Sequence, residues 1–204
     1  MVFVDKASVL SRIQTMDQVV LELGCGQRKR NSTAIGVDIL DYDCVDIVGD
    51  IFEVLEKIPD HSVDSIHSYH FFEHIDNLEL LISHIERVLK VSGTLDVVVP
   101  HFSNPYFYSD YSHRSFFGLY TFCYLASSSL FKRQVPSYQR KIRCKLISVD
   151  LVFKAPRPFY VQFLVKKILE RIVNISNYTK ELYEGNFCYI FPCYEINYKL
   201  EKIN

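Results

Sequence analysis

The sequence carries little net charge, no cysteines at C-x-x-C spacing and no long apolar run, and each absence excludes a class of protein. Its formal net charge of −1 provides no overall basic field, so we expect no nucleic-acid partner. No apolar run is long enough to span a bilayer, which predicts a soluble chain without a membrane span. Asp5, Lys6 and Arg12 interrupt the apolar stretch near the first residue, so we do not expect a signal peptide there.

Zinc motifs and disulfide frameworks are excluded by the placing of the cysteines. Six cysteines are present, but no two of them form a C-x-x-C pair, and we interpret them as reduced thiols of a cytoplasmic protein. Tryptophan is missing altogether, whereas there are fourteen tyrosines and fifteen phenylalanines. With 204 residues, 49% of them hydrophobic and 23% charged, the chain fits one globular domain over residues 1–204.

Short apolar runs that end in a glycine, an acid or a histidine alternate with helical patterns along the first half of the chain. They predict five strands, at residues 19–23, 34–37, 45–48, 62–68 and 94–99. Apolar positions at helical spacing predict a helix over residues 78–91, which Ser92 and Gly93 would end. This alternation is typical of a doubly wound α/β fold with a mostly parallel sheet. Ligands of such sheets bind outside the carboxyl ends of the strands, where these polar residues lie.

The second half of the chain has a different composition. Residues 101–140 hold twelve aromatic side chains, and because this segment is too long for a plain connection we predict a lid that lines an acceptor pocket. Residues 141–204 complete the domain, with a strand over 141–153, a helix over 161–173 and a final strand or hairpin over 187–200. The prediction is thus a binding core at 19–100, followed by an aromatic-rich insertion and the C-terminal elements.

The strongest motif is a glycine turn directly after the first strand. The strand delivers Glu22 to the crevice, and Gly24, Cys25 and Gly26 follow it. Glycine lets the backbone approach a ligand closely. A dinucleotide-binding fingerprint would need a third glycine at the position of Lys29, so the motif does not favour a nicotinamide cofactor.

Five segments, in this order and spacing, resemble the motifs of class I S-adenosylmethionine-dependent methyltransferases. They are Leu21-Glu22-Leu23-Gly24-Cys25-Gly26, Gly36-Val37-Asp38-Ile39, Gly49-Asp50-Ile51, Phe72-Glu73-His74-Ile75 and Arg87-Val88-Leu89-Lys90-Val91-Ser92-Gly93. The resemblance covers residues 19–100 and weakens beyond residue 120. It implies a Rossmann-like fold, S-adenosylmethionine as the cofactor and a methyltransferase activity.

The resemblance also assigns the cofactor to particular residues, which are Glu22, Gly24, Cys25, Gly26, Asp38, Ile39, Asp50 and Ile51. The glycine loop would pack against the methionine portion, and Glu22 would organise that loop and the ammonium group. Asp38 would accept both ribose hydroxyls, since a carboxylate can bridge two neighbouring donors. Asp50 would accept the adenine amino group, the backbone of Ile51 would contact the ring edge, and Ile39 would cover the ring plane.

One departure from the family pattern lies between Gly26 and Gly36, where most members carry a full helix. Only nine residues remain there, and they include Arg28, Lys29 and Arg30. We expect a loop instead of a helix. Its positive charges could meet the carboxylate of the methionine portion or an anionic substrate.

A second constellation, Val99-Pro100-His101 followed by Asp110 and His113, resembles a pattern in methyltransferases of surface-glycan and secondary-metabolite pathways. His101 at the end of the fifth strand could remove a proton from an acceptor hydroxyl, with Asp110 orienting it or His113. His70, just past the fourth strand, would also face the transfer zone. The alternative is a hydrogen-bonded brace that holds the lid. His70, His101, Asp110 and His113 are possible metal ligands by type, but their spacing matches no compact motif, so we predict no metal site.

The resemblance implies O-methylation of a small or carrier-linked acceptor, such as a sugar or a phosphorylated or nucleotide-linked precursor, in bacterial surface (capsule) polysaccharide biosynthesis. Basic residues after the aromatic segment form either a solvated face or a phosphate contact; they are Lys132, Arg133, Arg140, Lys141, Arg143 and Lys145. Residues 68–71 lack the N/D-P-P-Y motif of enzymes that methylate exocyclic amines of nucleic acids. We therefore do not expect nucleic-acid methylation. The alternative to an enzyme is a non-catalytic, cofactor-binding partner subunit of another methyltransferase, which would dock through residues 161–173. An oligomer is compatible with both functions.

Overall fold

The computed structural model describes residues 3–136, 138, 142–155 and 158–204, and its strands form one eight-stranded sheet in the order β1-β4-β3-β2-β5-β6-β8-β7. Strands β2 to β6 run parallel to one another, whereas β1, β7 and β8 are antiparallel to their neighbours. The strands are β1 (Val4–Asp5), β2 (Val20–Leu23), β3 (Ile35–Asp38), β4 (Ile47–Val48), β5 (Val63–Tyr69), β6 (Leu89–Pro100), β7 (Cys144–Val152) and β8 (Glu195–Lys202). The predicted doubly wound, mostly parallel fold is therefore confirmed.

Helices and short 3-10 turns connect these strands. The α-helices are α1 (Val9–Arg12), α2 (Ile51–Lys57), α3 (Leu78–Val88), α4 (Thr121–Leu125), α5 (Tyr160–Val173) and α6 (Asn177–Asn186). The 3-10 turns are Ile13–Thr15, Phe72–His74 and Pro105–Ser109. Within the described residues, no helix is long and apolar enough to cross a membrane.

The centre of the sheet positions the binding crevice. Leu21 of β2 is in register with Ile35 of β3 on one side and with Ile66 of β5 on the other. The chain crosses over from β2 toward β3 first and returns to β5 on the opposite side, so the strand order reverses between β2 and β5. Ligands of doubly wound sheets bind at this switch point. The glycine turn after β2 and the residues after Tyr69 of β5 lie there.

The predicted helix over 78–91 is too long, because α3 ends at Val88 and the extended run of β6 begins at Leu89. Ser92 has a φ of +64°, and a Cβ on Gly93 would lie 2.8 Å from the carbonyl oxygen of Lys90. These residues therefore make a tight irregularity inside the strand, beside a register shift between β5 and β6. They do not end the helix. Glycine is needed at position 93 because of this close approach, whereas the left-handed φ belongs to Ser92.

Other boundaries also differ from those predicted. β1, α2 and α6 were not among the predicted elements, and the segment that precedes β2 forms a single turn of α-helix and a 3-10 turn. The final strand starts at Glu195, after an irregular stretch from residue 187. β1 and α2, with two and seven residues, do not complete enough turns or alternations to show a pattern. α6 has ten residues, but its buried positions are only Lys180 and Tyr183, so it lacks an apolar stripe.

The aromatic insertion divides into a buried part and an exposed part. Phe117 and Phe122 are fully buried and pack against Tyr198 of β8, with ring centroids 6.4 and 4.7 Å from that tyrosine. Tyr106, Tyr108, Tyr111 and Phe116 are exposed. The prediction of a lid therefore applies to only part of residues 101–140, because the other aromatic side chains belong to the main core.

Candidate functional site

The conformation of the turn after β2 is fixed by hydrogen bonds from its backbone N–H groups. Gly24 and Gly26 have φ values of +66° and +57°, a region that residues with a Cβ rarely adopt. The N–H of Gly24 donates to the carbonyl of Val37 over 2.8 Å. The buried carboxylate of Glu22 accepts the N–H groups of Arg30, at 2.9 and 3.0 Å, and of Asn31, at 3.0 Å. Glu22 thus ties down the loop after the glycines, and no helix forms between β2 and β3.

The positive residues of this loop do not act as one cluster. The Nζ of Lys29 donates to the carbonyl of Ala34 and to Oδ2 of Asp46, both over 2.8 Å. Lys29 therefore braces the loop internally, which leaves it poorly placed to bind an anion. Arg30 stacks over the ring of Tyr69, 4.1 Å from its centroid. Arg28 and Arg30 are exposed, whereas Lys29 is partly buried.

Cys25 points away from the loop and into the protein. Its Sγ would lie 2.9 Å from a Cβ on Gly36, and it packs with Val45 and Val48 in a small apolar cluster. Burial, with the charge of Asp38 adding to it, raises the pKa of the Cys25 thiol to about 12. Cys25 can therefore contribute to a ligand through its backbone, while its thiol stays protonated.

Asp38 and Asp50 end neighbouring strands and face one cavity. Oδ2 of Asp38 accepts the N–H of Gly26 over 2.8 Å, and Oδ1 accepts the N–H of Leu40 over 2.9 Å. Oδ1 of Asp50 caps α2 by accepting the N–H of Phe52 over 2.9 Å. A carboxylate offers about four acceptor positions, so both side chains keep capacity for further donors.

The cavity between these carboxylates has a volume of about 360 Å³. It is lined by Gly24, Val37, Asp38, Ile39, Gly49, Asp50, Ile51, Phe52, Phe71, His74, Ile75, Asp76 and Asn77. Two carboxylates beside apolar side chains suit a ligand with a flat ring and vicinal hydroxyls. The residues present therefore fit the adenosine half of S-adenosylmethionine, and five of the eight predicted residues (Gly24, Asp38, Ile39, Asp50 and Ile51) line this cavity.

Phe71 modifies the expected role of Gly24. A Cβ on Gly24 would lie 2.6 Å from the Cβ, Cγ and Cδ2 atoms of Phe71, so that side chain covers the glycine. A Cβ on Gly26 would meet no atom within 4 Å. The open approach for the methionine half is therefore over Gly26, whereas Gly24 is required by the packing of Phe71.

His70 lies between two buried glutamates at the end of β5. Its Nε2 is 2.9 Å from Oε1 of Glu195, and its Nδ1 is 3.3 Å from Oε1 of Glu73. The hydrogen bonds to Glu195 and then to Glu73 raise the pKa of His70 to about 9. An imidazolium cannot accept a proton, so the geometry argues against His70 as a general base. Its φ of +55° shows that the surrounding structure holds it in a strained conformation.

His101 is buried and fully hydrogen-bonded. Its exposed fraction is 0%, the N–H of Ser103 donates to its Nδ1 over 3.1 Å, and its Nε2 is 3.1 Å from Oε2 of Glu184. Because Nδ1 accepts, Nε2 carries the proton and donates to Glu184. The expectation that His101 points into the crevice is therefore wrong for this structure, and the geometry favours the brace interpretation.

Asp110 and His113 lie together, but not beside His101. Nε2 of His113 is 3.6 Å from Oδ2 of Asp110, and the His113 ring packs against His74 with centroids 4.9 Å apart. The N–H and hydroxyl of Ser112 donate to Oδ1 of Asp110 and hold the pKa of that carboxyl below its ordinary value. The contact with His74 brings the insertion to the wall of the cofactor cavity, which His74 lines.

A second cavity, of about 660 Å³, is lined mainly by the insertion. Its wall includes Phe102, Tyr108, Tyr120, Arg133 and Glu184. The guanidinium of Arg133 lies over the Tyr120 ring, 4.9 Å from its centroid. Leu78 lines this cavity and its chain neighbour Asn77 lines the cofactor cavity, so the two cavities flank the start of α3.

The other predicted basic residues are spread along the chain. The backbone N–H groups of Lys132 and Arg133 both donate to Glu181, and the Arg143 guanidinium lies 3.8 Å from Glu86. Lys145 lies on β7 at the sheet edge. Arg140 and Lys141 lie outside the described residues. Among the described members of this predicted basic set, Arg133 is the residue that lines the second cavity.

Three functional positions were not found from the sequence as site residues. Glu73 and Glu195 hold His70, and Glu184 holds His101 and also accepts the N–H of Leu119 over 2.7 Å. Glu195 and Glu184 lie more than 80 residues from their histidines, so local spacing gave no signal. Glu73 belongs to the Phe72-Glu73-His74-Ile75 motif. Its place shortly after an apolar strand was the sequence feature that could have indicated a buried carboxylate.

Comparison with known proteins agrees with this geometry. A model of the methyltransferase-domain family matches residues 19–97, the segment that carries the glycine loop, Asp38 and Asp50. No curated protein sequence matches the chain. A SAM-dependent methyltransferase from Archaeoglobus fulgidus is 17% identical with a TM-score of 0.56, over 97% of this chain and 92% of that one.

A phosphoethanolamine N-methyltransferase 2 from Haemonchus contortus was solved in complex with phosphomonomethylethanolamine and S-adenosylhomocysteine. It is 17% identical with a TM-score of 0.53, over 97% of this chain and 52% of that one. At such identities the likeness shows a shared fold. Residues 19–97 therefore match the methyltransferase-domain family, and the chain over nearly its whole length has the fold of S-adenosylmethionine-dependent methyltransferases.

Proposed function

We propose that this enzyme methylates an oxygen of a small anionic acceptor held between the insertion and the cofactor cavity. The observation that carries the proposal is the adjacency of the two cavities, which share the start of α3 as a common wall. A nucleophile bound under the insertion can then reach the cofactor without passing through solvent. The same surface-polysaccharide setting that the sequence resemblance implies is part of the proposal, with a sugar or a phosphorylated or nucleotide-linked precursor as acceptor.

The residues of the first cavity would hold the cofactor. Asp38 would receive the ribose hydroxyls on its remaining lone pairs, and Asp50 would receive the adenine amino group. Ile39 and Phe52 would flank the ring, and the backbone of Gly26 would lie against the methionine half. When bound, S-adenosylmethionine would supply a methyl group that is activated by its positively charged sulfur, and that sulfur would be the leaving group.

Arg133 supports an anionic acceptor. Its side chain lines the larger cavity beside aromatic rings, which provide apolar contact for the rest of a small molecule. A guanidinium binds phosphate through charge-assisted, bidentate hydrogen bonds. The phosphorylated ligand of the Haemonchus enzyme supports this assignment only as an example of what the fold can accommodate.

Positioning would supply most of the catalysis. His70 is protonated in its glutamate clamp and His101 is fully buried, so neither side chain is available as a neutral base. His113 is then the remaining predicted histidine that could act as a general base, and its side chain is 9% exposed beside Asp110. Holding an acceptor oxygen in line with the methyl group can provide several orders of magnitude without any base.

The test is a transfer assay with radiolabelled cofactor against sugars, sugar phosphates and nucleotide-linked sugars. We expect label in an O-methyl group of a phosphorylated acceptor, identified by NMR of the product. Arg133→Gln should raise KM for that acceptor while it leaves cofactor affinity unchanged. Lys145→Gln, on the sheet edge, is the matched control. Transfer to nitrogen, or equal use of uncharged sugars by the wild type and Arg133→Gln, would contradict the acceptor assignment.

The partner-subunit alternative depends on α5, of which Val173 is the buried residue. The helix exposes Val161, Phe163, Leu164, Val165, Ile168 and Ile172, which agrees with a covered face in an assembly. Turnover by the purified chain alone would contradict a non-catalytic role. Sedimentation analysis of the wild type and Leu164→Gln would test whether a second copy covers this face.

A further inference from the structure

We propose that Glu73, His74 and His113 bind a divalent transition-metal ion that fastens the insertion to the turn after β5. One carboxylate oxygen and one ring nitrogen from each histidine all lie within 4.8 Å of one another. Glu73 and His74 belong to the 3-10 turn Phe72–His74, whereas His113 belongs to the insertion. The sequence did not indicate this set, because the two histidines are 39 positions apart.

The hydrogen bond at Nδ1 of His113 leaves a lone pair on the other ring nitrogen. Its Nδ1 lies 2.9 Å from the carbonyl oxygen of Phe107, an acceptor, so Nδ1 carries the proton. In the neutral ring Nε2 then has a lone pair, which faces Oδ2 of Asp110 over 3.6 Å. A cation bound between these two acceptors would make their contact attractive. A carbonyl behind Nδ1 is the usual outer partner of a metal-binding histidine.

The same argument applies to His74. Its Nδ1 lies 3.0 Å from Oγ of Ser112, and that hydroxyl donates to Oδ1 of Asp110 over 2.6 Å. Because the hydroxyl proton is committed to Asp110, Oγ accepts from His74, and Nδ1 carries the proton. Nε2 of His74 is then also a lone-pair donor. One chain of hydrogen bonds, from His74 through Ser112 to Asp110, thus fixes the tautomer of the ligand.

Glu73 supplies the third donor, and its burial is an independent observation at this site. Its exposed fraction is 1%, and Oε1 is 3.3 Å from Nδ1 of His70. Oε2 is buried without a hydrogen-bond partner among the described residues. Leaving a buried carboxylate oxygen unpaired is costly. A bound cation would satisfy it.

The donor set selects the class of metal. Two imidazoles and one carboxylate suit zinc, cobalt, nickel, manganese or iron in the divalent state, whereas magnesium and calcium prefer oxygen ligands. Asp110, or water, would complete the coordination of a tetrahedral ion. Ligand bonds of about 2.0–2.2 Å require the three side chains to close around the ion, and the metal would thereby tie the insertion to the cofactor cavity that His74 lines.

This site goes beyond the proposed methyl transfer and does not depend on it. It competes with proton acceptance by His113, because both roles use the same lone pair. A bound ion would leave positioning as the source of catalysis.

The test uses the full chain with its affinity tag removed and its metal stripped by a chelator. We expect Zn²⁺ to bind one site per chain by calorimetry and to raise Tm in proportion to its concentration. Co²⁺ should give the visible absorption bands of a nitrogen- and oxygen-ligated ion. His74→Ala and His113→Ala should weaken Zn²⁺ binding at least a hundredfold, and Ser112→Ala about ten- to a hundredfold through the outer shell. His84→Ala, on α3, is the matched control and should leave binding unchanged.

The Zn²⁺-binding test still decides the proposal if one variant fails to fold. Glu73→Gln keeps the size of the side chain, and its thermal unfolding without metal shows whether the fold survives. Absence of Zn²⁺ binding by the wild type would overturn the proposal, as would equal affinity in His74→Ala, His113→Ala and His84→Ala. Cofactor binding, measured separately by calorimetry with S-adenosylhomocysteine, reports on the methyltransferase function independently of the metal.

Discussion

Nε2 of His70 lies 2.9 Å from Oε1 of Glu195, a residue 125 positions later in the chain. This contact joins the end of β5 to the start of β8. Lys154 also contacts the Glu195 carboxylate, so the C-terminal strand brings a charge network to the crevice. His70 is thereby converted from a possible proton acceptor into a fixed positive charge.

The first prediction follows from the raised pKa of His70, about 9. Since this value lies above the ordinary 6.5, the contact stabilises the fold fully below about pH 6.5 and is lost as the pH rises through about 9. We expect the Tm difference between wild type and His70→Gln to shrink over that interval. Thermal unfolding from pH 6 to 10 measures it.

Glu195→Gln provides the control for this prediction. It removes the carboxylate that contributes most to the shift, so NMR titration of the His70 ring should show a lower pKa in that variant. A wild-type ring that titrates near pH 6.5 would contradict the glutamate clamp. It would also restore His70 as a candidate base.

The second prediction concerns Gly24 and Phe71. Gly24→Ala places a methyl group 2.6 Å from Phe71 atoms and adds strain from the positive φ, so we expect a clear fall in Tm. Gly26→Ala carries only the φ strain, of about 1–2 kcal/mol, because no atom lies within 4 Å. Phe71→Ala in the Gly24→Ala background should recover part of the loss. A double-mutant cycle on denaturant unfolding measures the coupling, and purely additive effects would show that the two residues do not clash.

The third prediction separates the two carboxylates of the cofactor cavity. Asp38→Ala and Asp50→Ala should each weaken binding of S-adenosylhomocysteine in calorimetry by about tenfold or more, since each removes charge-assisted hydrogen bonds worth about 1.5–3 kcal/mol. Asp50→Ala should also cost about 0.5–2 kcal/mol of stability, because its side chain caps α2. Asp17→Ala, an exposed position, is the control. Undiminished affinity in both variants would place the cofactor elsewhere.

The sequence predicted the sheet because its strands depend on short, local segments. A buried run followed by Gly24 or Asp38 determines both the strand and the polar residue at its end. The glycine loop, the first parallel strands and the doubly wound topology could therefore be predicted from residues 19–100 alone. Family motifs strengthen this inference, since they record the same local requirement.

The catalytic constellation could not be predicted in the same way. His101 and His113 are close in sequence, yet one is held by Glu184 of α6 and the other by the carbonyl of Phe107. Which side a histidine faces depends on partners that arrive from distant elements. The aromatic density of residues 101–140 was equally ambiguous, because it describes a buried layer such as Phe117 and Phe122 as well as an exposed surface.

The last prediction distinguishes a brace from a base at His101. Its ring is buried, with hydrogen bonds to Ser103 and Glu184, so His101→Ala leaves buried polar groups unpaired at about 1–3 kcal/mol for each. We expect a lowered Tm, with turnover that follows the folded fraction and an unchanged pH profile. His101→Asn can keep one hydrogen bond and should recover part of the stability. Denaturant unfolding, cofactor calorimetry and turnover between pH 5.5 and 8.5 on both variants measure these effects. A hundredfold or greater loss of turnover at unchanged stability, with loss of the histidine limb of the pH profile, would instead establish His101 as the base. That result would require the Glu184 contact to open during the reaction, because the side chain is inaccessible while the contact is intact.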